Sequence, residues 1–393
     1  MNADKVVQHR QEFPGLANKV YFNFGGQGIL PRSALDAIID AYKYLEDKGP
    51  FSLKVNAWVK SRNGLLRKAL AEELGVIPET ITLTENVTVG CNIALWGINW
   101  QEGDRILITD CEHPGVIAIV GEIARRFGVE VSTCPIMATL NEGDSAQVIA
   151  QYLHPKTRLV ILSHLLWNTG QVLPLAEIVE VCHNYYSSEK GIQVLVDAAQ
   201  SVGSLPLNLT ELKVDFYAFT GHKWLCGPAG VGGLYISPEA GEKLEPTFIG
   251  WRGLDWDKKG EIIGWKNDGQ RFEVATSAYP QYEGLRAAMT VHQQWGNAQE
   301  RYARICQLSE YLWQELSRVE GIQCLKKSPP EAGLVSFRVT DILSHKSLVE
   351  ALEKQGFLLR TLAHPNSVRA CVHYFTLPAE IEQLVEAISQ LIQ

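Results

Sequence analysis

The chain has 393 residues, 46% of them apolar and 20% charged, with a formal net charge of −8. Its length allows two domains at the usual ~100–200 residues each, and its composition is that of an ordinary soluble globular protein. The acidic balance disfavours nucleic acid and anionic membrane as partners, no apolar run approaches the ~18 residues that span a bilayer, and the start, Met1-Asn2-Ala3-Asp4-Lys5, lacks a signal-peptide apolar region, so a cytoplasmic location is expected. Order is predicted from Val20-Tyr21-Phe22-Asn23-Phe24, before the turn Gly25-Gly26-Gln27-Gly28. After Pro31, Leu35, Ile38, Ile39, Tyr42 and Leu45 recur at helical spacing, and a second helix is predicted over 62–74, stopped by Gly75. Strands and helices then alternate: strands over 105–109, 129–134, 159–163, 193–196, 214–219 and 231–236, with helices over 116–127 and 175–186. Repeated β-then-α order predicts an α/β fold with a largely parallel sheet covered on both faces. Residues 248–270, rich in Gly, Trp and charge, read as a long functional loop. Helices over 282–295 and 297–319 follow, then a strand (334–339), a helix (347–355), two strands (357–361, 368–373) and a helix (379–392), which read as an α+β second domain.

The chemistry concentrates at two strand ends. The run ending at Val196 is followed by Asp197-Ala198-Ala199-Gln200, and the run ending at Phe219 by Thr220-Gly221-His222-Lys223-Trp224. A lysine after a strand is usually a solvated surface residue, and an aspartate there usually caps a helix. Their joint occurrence points further, because open α/β sheets bind ligands beyond the carboxyl ends of their strands. An acid, an amide, a histidine and a lysine facing one crevice suit pyridoxal phosphate (PLP). Lys223 would form the Schiff base and act as base, Asp197 would pair with the pyridine nitrogen, Gln200 would donate to the phenolic oxygen, and His222 would contact the phosphate. Eight cysteines are scattered with no C-x-x-C pair, so zinc-ribbon and thioredoxin-like readings lack support and no metal is expected.

These two stretches resemble the aspartate and lysine motifs of the class V aminotransferase family of PLP enzymes, which includes the cysteine desulfurases. The resemblance runs from about Tyr21 to the C-terminus. It implies the fold type I architecture of PLP-dependent transferases: a large domain with a mainly parallel seven-stranded sheet flanked by helices, and a smaller α+β domain. The expected limits are 20–260 for the large PLP-binding domain, and 1–19 with 270–393 for the small one. Residues 246–270 are expected to form an excursion near a dimer interface. In the same resemblance, Thr84-Glu85-Asn86-Val87-Thr88-Val89-Gly90 is the phosphate-binding turn, with Thr88 on the family's threonine and Val89 beside it. His113 of Glu112-His113-Pro114-Gly115 falls on the histidine that stacks on the cofactor ring. Thr276, after Arg271-Phe272-Glu273-Val274-Ala275, falls on a threonine that reaches the phosphate of the neighbouring subunit. That residue implies a homodimer with shared active sites, whose partner cleft the segment around Trp251 is placed to cover, making Trp251 a candidate substrate contact. Arg369 is the implied substrate-carboxylate clamp and Arg360 its helper, by the two-bond fork that guanidinium offers a carboxylate.

Two departures narrow the reaction. Trp167 stands where the family has an asparagine near the ring, with Asn168 one residue later. The segment between Arg360 and Arg369, Thr361-Leu362-Ala363-His364-Pro365-Asn366-Ser367-Val368, has no cysteine, whereas many cysteine desulfurases carry a nucleophilic cysteine there. Cys371, in the next strand, is expected to pack. In this the chain looks like the cyanobacterial cysteine/cystine C–S lyases, a branch of the desulfurase-like family. The expectation is β-elimination on cystine or cysteine, giving pyruvate, ammonia and a persulfide or sulfide, with iron–sulfur cluster acceptor proteins as a destination for the sulfur. Cystine suits it best, since a persulfide leaves as a more stable anion than a thiolate. Three readings stay open beside it: a persulfide-forming desulfurase using Cys371; another PLP reaction such as epimerisation, kynurenine cleavage or transamination; and a binding protein on a retained fold.

Overall fold

The structure is a computed structural model that describes residues 3–188, 191–339 and 343–392. Its strands begin with β1 (Val20–Tyr21) and continue with β2 (Ile81–Thr84), β3 (Arg105–Thr109), β4 (Glu130–Cys134), β5 (Thr157–Ser163), β6 (Gln193–Asp197), β7 (Phe216–Thr220) and β8 (Gly232–Ile236). The last seven form one sheet in the order β2-β8-β7-β6-β5-β3-β4. Strands β4, β3, β5, β6 and β7 run parallel, and β8 is antiparallel to both of its neighbours. Both faces of the sheet are covered, which is why its central strands read as continuous apolar runs. Along β5 the period of two is visible in the packing: Val160 and Leu162 join one core with Leu107, Val196 and Phe219, while Leu159 and Ile161 join another with Ile106, Ile123 and Phe216.

The strand order reverses between β3 and β5, since the chain goes outward to β4 and then returns to build the rest of the sheet on the other side. A crevice beyond the carboxyl ends at such a switch point is where this architecture binds ligands. Thr109, Ser163, Asp197 and Thr220 end the four strands nearest it.

Several elements differ from the sequence expectation. Strand β2 is not foreseen by the apolar pattern: its alternate positions Thr82 and Thr84 are buried, and Thr82 Oγ1 donates to Gly269 O at 2.7 Å, a partner distant in the chain. The helix expected over 62–74 runs over Leu53–Leu74, capped by Ser52, whose Oγ accepts from Val55 N. Before Asn63 it buries only Val55, so its apolar stripe is weak there. The segment expected as a loop over 248–270 contains a short hairpin, β9 (Leu254–Trp256) with β10 (Ile262–Trp265). The helix Tyr279–Trp295 packs on the helices Arg32–Lys48 and Leu53–Leu74, and Tyr282, Leu285 and Met289 join the core of the large sheet. This helix, inside the segment expected to belong to the small domain, thus packs with the large sheet.

The C-terminal part of the chain holds β11 (Ile322–Cys324) and β12 (Leu334–Val339), and the predicted strand over 357–361 is split in two. Strand β13 (Phe357–Leu358) pairs with β1, whereas β14 (Arg360–Leu362) joins β15 (Ser367–Cys371) in an antiparallel sheet ordered β11-β12-β15-β14. Phe337, Leu348, Leu384 and Ile388 form its core. A separate buried cluster, including Phe13, Phe24, Trp224, Tyr374 and Phe375, joins the N-terminal segment to both sheets. Among the described residues no helix is long and apolar enough to cross a membrane.

Candidate active site

Lys223 lies in the turn after β7. The turn is held by Gly28 N donating to His222 O (2.7 Å), Cys226 N donating to Lys223 O (3.0 Å) and Gly227 N donating to Gly221 O (2.9 Å). Behind it, His373 Nε2 is 3.0 Å from Trp224 O, and since a carbonyl only accepts, that nitrogen carries the proton. Burial pushes the Lys223 ammonium down to about 8, with Arg369 and Arg360 acting in the same direction and Asp197 against it. A lysine so placed is mostly the neutral amine above about pH 8, well below the range of an ordinary lysine. His222 Nδ1 lies 2.6 Å from Thr220 Oγ1, and burial lowers the ring to about 4, so it is neutral at working pH.

Asp197 ends β6, is 6% exposed, and accepts from Ala199 N at 2.9 Å. His113 is the N-cap of the helix Pro114–Phe127, where its Nδ1 accepts from Gly115 N at 3.1 Å. The proton of the neutral ring therefore sits on Nε2. Burial lowers the His113 pKa, Asp197 opposes that, and Lys223, Arg360 and Arg369 add to it. Lys223, Asp197, His113, Arg360 and Arg369 thus lie in one electrostatic neighbourhood.

The turn over 84–90, expected to bind phosphate, leads into the helix Val87–Gly97, capped by Asn86. Val89 N already donates to Asn86 Oδ1 at 3.1 Å, which leaves the amides of Val87 and Thr88 and the Thr88 hydroxyl to meet an anion. A Cβ on Gly115 would lie 3.2 Å from His113 Nδ1 and 3.6 Å from Thr88 Oγ1, which puts Thr88 beside His113. Gln200 is more committed than its sequence role implies: its Nε2 donates to Gly25 O and its Oε1 accepts from Trp224 Nε1, both at 2.9 Å. One N–H remains free for a ligand.

Arg360 and Arg369 face each other directly across the β14–β15 ladder. Like charges directly opposite one another are destabilising unless an anion joins them. Arg360 is exposed and Arg369 is 2% exposed. Arg369 Nη1 donates to Trp167 O at 2.7 Å, while its buried Nε has no partner. Asn168 Oδ1 and Asn23 Oδ1 are likewise buried and unpartnered. Trp167 and Asn168 sit in the loop after β5, where Ser336 Oγ donates to Asn168 O at 2.8 Å, and Gly170 at φ 80° lets the chain pass against Leu334. Buried polar atoms without partners call for an explanation, and a polar ligand bridging them supplies one. These residues fit PLP and an amino-acid carboxylate.

Thr276 and Trp251 lie on the excursion. Thr276 lines a cavity of ≈ 460 Å³ together with Thr84, Val89, Asn92 and Phe248. Trp251 is 52% exposed. Glu273, 4% exposed, is held by Arg67, Arg252 and Leu83 N, which anchors this segment to β2.

Glu112 escapes a reading of the sequence alone. Its carboxyl is 4% exposed, takes Thr109 Oγ1–H at 2.5 Å and Ser163 N–H at 3.1 Å on Oε1, and has Ser163 Oγ at 3.0 Å from Oε2. Burial raises it to about 8, and Asp197 adds to the rise. The only local signal is a carboxylate beside His113.

A family model described as aminotransferase class V matches residues 21–383. Two solved structures of C-DES are similar over nearly the whole chain. One is a mutant with glycine covalently linked to its PLP cofactor, at TM-score 0.95 and 56% identity, covering 97% of this chain and 99% of that one. The other is the complex of the cystine C–S lyase C-DES with its reaction product cysteine persulfide, at TM-score 0.95 and 57% identity, covering 96% and 99%. A probable cysteine desulfurase of Methanothermobacter thermautotrophicus is 25% identical over 402 residues, 97% of each chain. Isopenicillin N epimerase of Streptomyces clavuligerus is 33% identical over 235 residues, which span 59% of this chain and 57% of that protein.

Proposed function

The chain belongs to the class V aminotransferase family, and on that premise we propose that it is a PLP-dependent carbon–sulfur lyase of fold type I acting on cystine or cysteine. With cystine the net reaction consumes one water and yields pyruvate, ammonia and cysteine persulfide. The observation that carries the reading is a lysine–aspartate site beside an arginine pair whose connecting loop, 361–368, holds no thiol, in a chain 57% identical to a cystine C–S lyase.

Lys223 would hold the cofactor, with Asp197 at its ring nitrogen, His113 against its ring, Gln200 at its phenolic oxygen, and Thr88 and His222 at its phosphate. When bound, PLP supplies an electron sink for the pair left at the substrate Cα after proton removal. Lys223 Nζ is the base that takes the Cα proton. Arg369, with Arg360 as helper, holds the substrate carboxylate and so aims the Cα–H bond at Lys223. His113 carries its proton on Nε2 and donates from there. Cys371 is 0% exposed and burial raises its thiol pKa, so it is neither accessible nor ionised as an attacking nucleophile requires.

The sulfur chemistry is testable by product analysis. Incubation with cystine should give pyruvate and ammonia in equal amounts, with cysteine persulfide, and cystine should outrun cysteine as substrate. Pyruvate formation should persist in Cys371→Ser. Alanine as the main product, with an enzyme-bound persulfide that vanishes in Cys371→Ser, would instead identify a desulfurase. That second reading draws on the position of Cys371, whose sulfur lies close to the Arg369 guanidinium.

A homodimer with shared sites belongs to the proposal. Phe248, Ile249, Trp251, Ile262 and Ile263 are each more than half exposed on the excursion that leads to Thr276, an apolar patch of the kind that covers a second copy. Mixing inactive Lys223→Ala chains with inactive Thr276→Ala chains should restore part of the activity, because a hybrid dimer carries one site with both residues intact. Full activity in a clean monomer would end the shared-site reading. Eight free thiols suit a reducing cytoplasm, where iron–sulfur acceptor proteins are fitting recipients of the sulfur.

A further inference from the structure

We propose that Glu112 is a positioning residue of this site: its carboxyl ties the ends of β3 and β5 together at the crevice where the strand order reverses, and so fixes His113 and Asp197 relative to each other. Glu112 Oε1 is bonded both to Thr109 Oγ1, on the last residue of β3, and to Ser163 N, on the last residue of β5, whose Oγ also meets Oε2. Ser163 is the register partner of Asp197 on β6, and His164 N donates to Asp197 O at 3.4 Å. His113 is the next residue in the chain. One side chain therefore spans from the ring-stacking residue to the strand pair that presents Asp197. What His113 and Asp197 do there rests on the cofactor reading above; the tie itself does not.

The hydrogen bonds accommodate a neutral acid. Thr109 Oγ1 accepts from Cys111 N at 3.1 Å, so its own hydrogen is free for Glu112 Oε1. Oε1 also accepts from Ser163 N, and a proton on Oε2 is donated to Ser163 Oγ. No cation pairs with Glu112 among the described residues. The titratable groups that act on it or feel it are Asp197 on β6, Cys91 on the helix Val87–Gly97, Cys111 in its own loop and Cys134 on β4, none of them cationic. Burial without a counter-charge favours the protonated form, held below about 8. Above that value Glu112 ionises and places a second negative charge beside Asp197.

The test compares Glu112→Gln with Glu112→Ala in the PLP-loaded protein. A glutamine amide keeps each bond: Oε1 accepts from Thr109 and Ser163 N, and Nε2 donates to Ser163 Oγ. Glu112→Ala should lose about 10- to 100-fold in kcat/KM, because it leaves two buried donors, Thr109 Oγ1 and Ser163 N, and one acceptor, Ser163 Oγ, without a partner, and Glu112→Gln should recover most of that loss. Glu112→Gln should also lack the alkaline limb that Glu112 contributes to the wild-type pH profile near pH 8. Infrared difference spectra should show a protonated-carboxyl stretch at pH 7 that disappears in Glu112→Gln. If Glu112→Gln is as impaired as Glu112→Ala, or that band is absent from the wild type, the proposal is overturned. The infrared band reports on Glu112 without reference to turnover, so it decides the matter even if Glu112→Ala does not fold. A wild-type protein that takes up no PLP would sink the cofactor reading, and the band would still decide whether Glu112 is held neutral between the two strand ends.

Discussion

Lys223→Ala is expected to lower turnover of cystine by about 1,000-fold or more, because the variant lacks both the group that captures the cofactor and the base at Cα. The expectation comes from the turn that carries Lys223, which is pinned from Gly28 and from His373, and from burial that brings its ammonium down to about 8. The neutral amine is the nucleophile, so cofactor capture by the apo protein should speed up as pH rises through about 8 and slow below it. Borohydride reduction of the yellow protein, followed by peptide mapping, should place the cofactor on Lys223 and nowhere else. A small primary amine added to Lys223→Ala should restore part of the activity, which a folding defect would not permit. Undiminished pyruvate formation by Lys223→Ala would remove the mechanism altogether.

Arg369→Ala should lower kcat/KM by roughly 30- to 5,000-fold, corresponding to about 2–5 kcal/mol for losing one side of a buried, charge-assisted contact. Most of the effect should fall on KM, since the carboxylate is bound before and during the chemistry. Arg360→Ala should follow in the same direction more mildly, because Arg360 is exposed while Arg369 is 2% exposed. Arg369→Lys should recover little: an ammonium keeps the charge but not the planar fork. Arg369 also donates to Trp167 O at 2.7 Å, so Arg369→Ala disturbs the loop after β5 as well. Arg360→Ala lacks that contact and serves as the control. Unchanged kinetics in both variants would show that the carboxylate is held elsewhere.

Much of the architecture was legible in the linear sequence, for a reason the packing makes plain. The central parallel strands are buried on both faces, so their residues form apolar runs such as those ending at Val196 and Phe219, and strand ends in an open sheet converge on one crevice. A lysine and an aspartate at two such ends therefore mark a candidate site without any knowledge of tertiary contacts. The absence of a thiol between Arg360 and Arg369 was equally readable, and the proposed elimination rests on it. Elements whose polar residues are satisfied from far away were not legible. Strand β2 depends on Gly269, and the split of the predicted strand at 357–361 depends on β1 pairing with Phe357 and Leu358. The side-chain commitments within the site were also hidden. Gln200 is tied to Gly25 and Trp224, and Arg360 stands directly opposite Arg369. Among the described residues no cation pairs with Glu112, which is joined to two strand ends, so burial can keep it neutral. Sequence by itself determined which chemical groups the strand ends carry. Tertiary structure decided their charge states and partners, because both depend on burial and on neighbours that lie tens to hundreds of residues away in the chain.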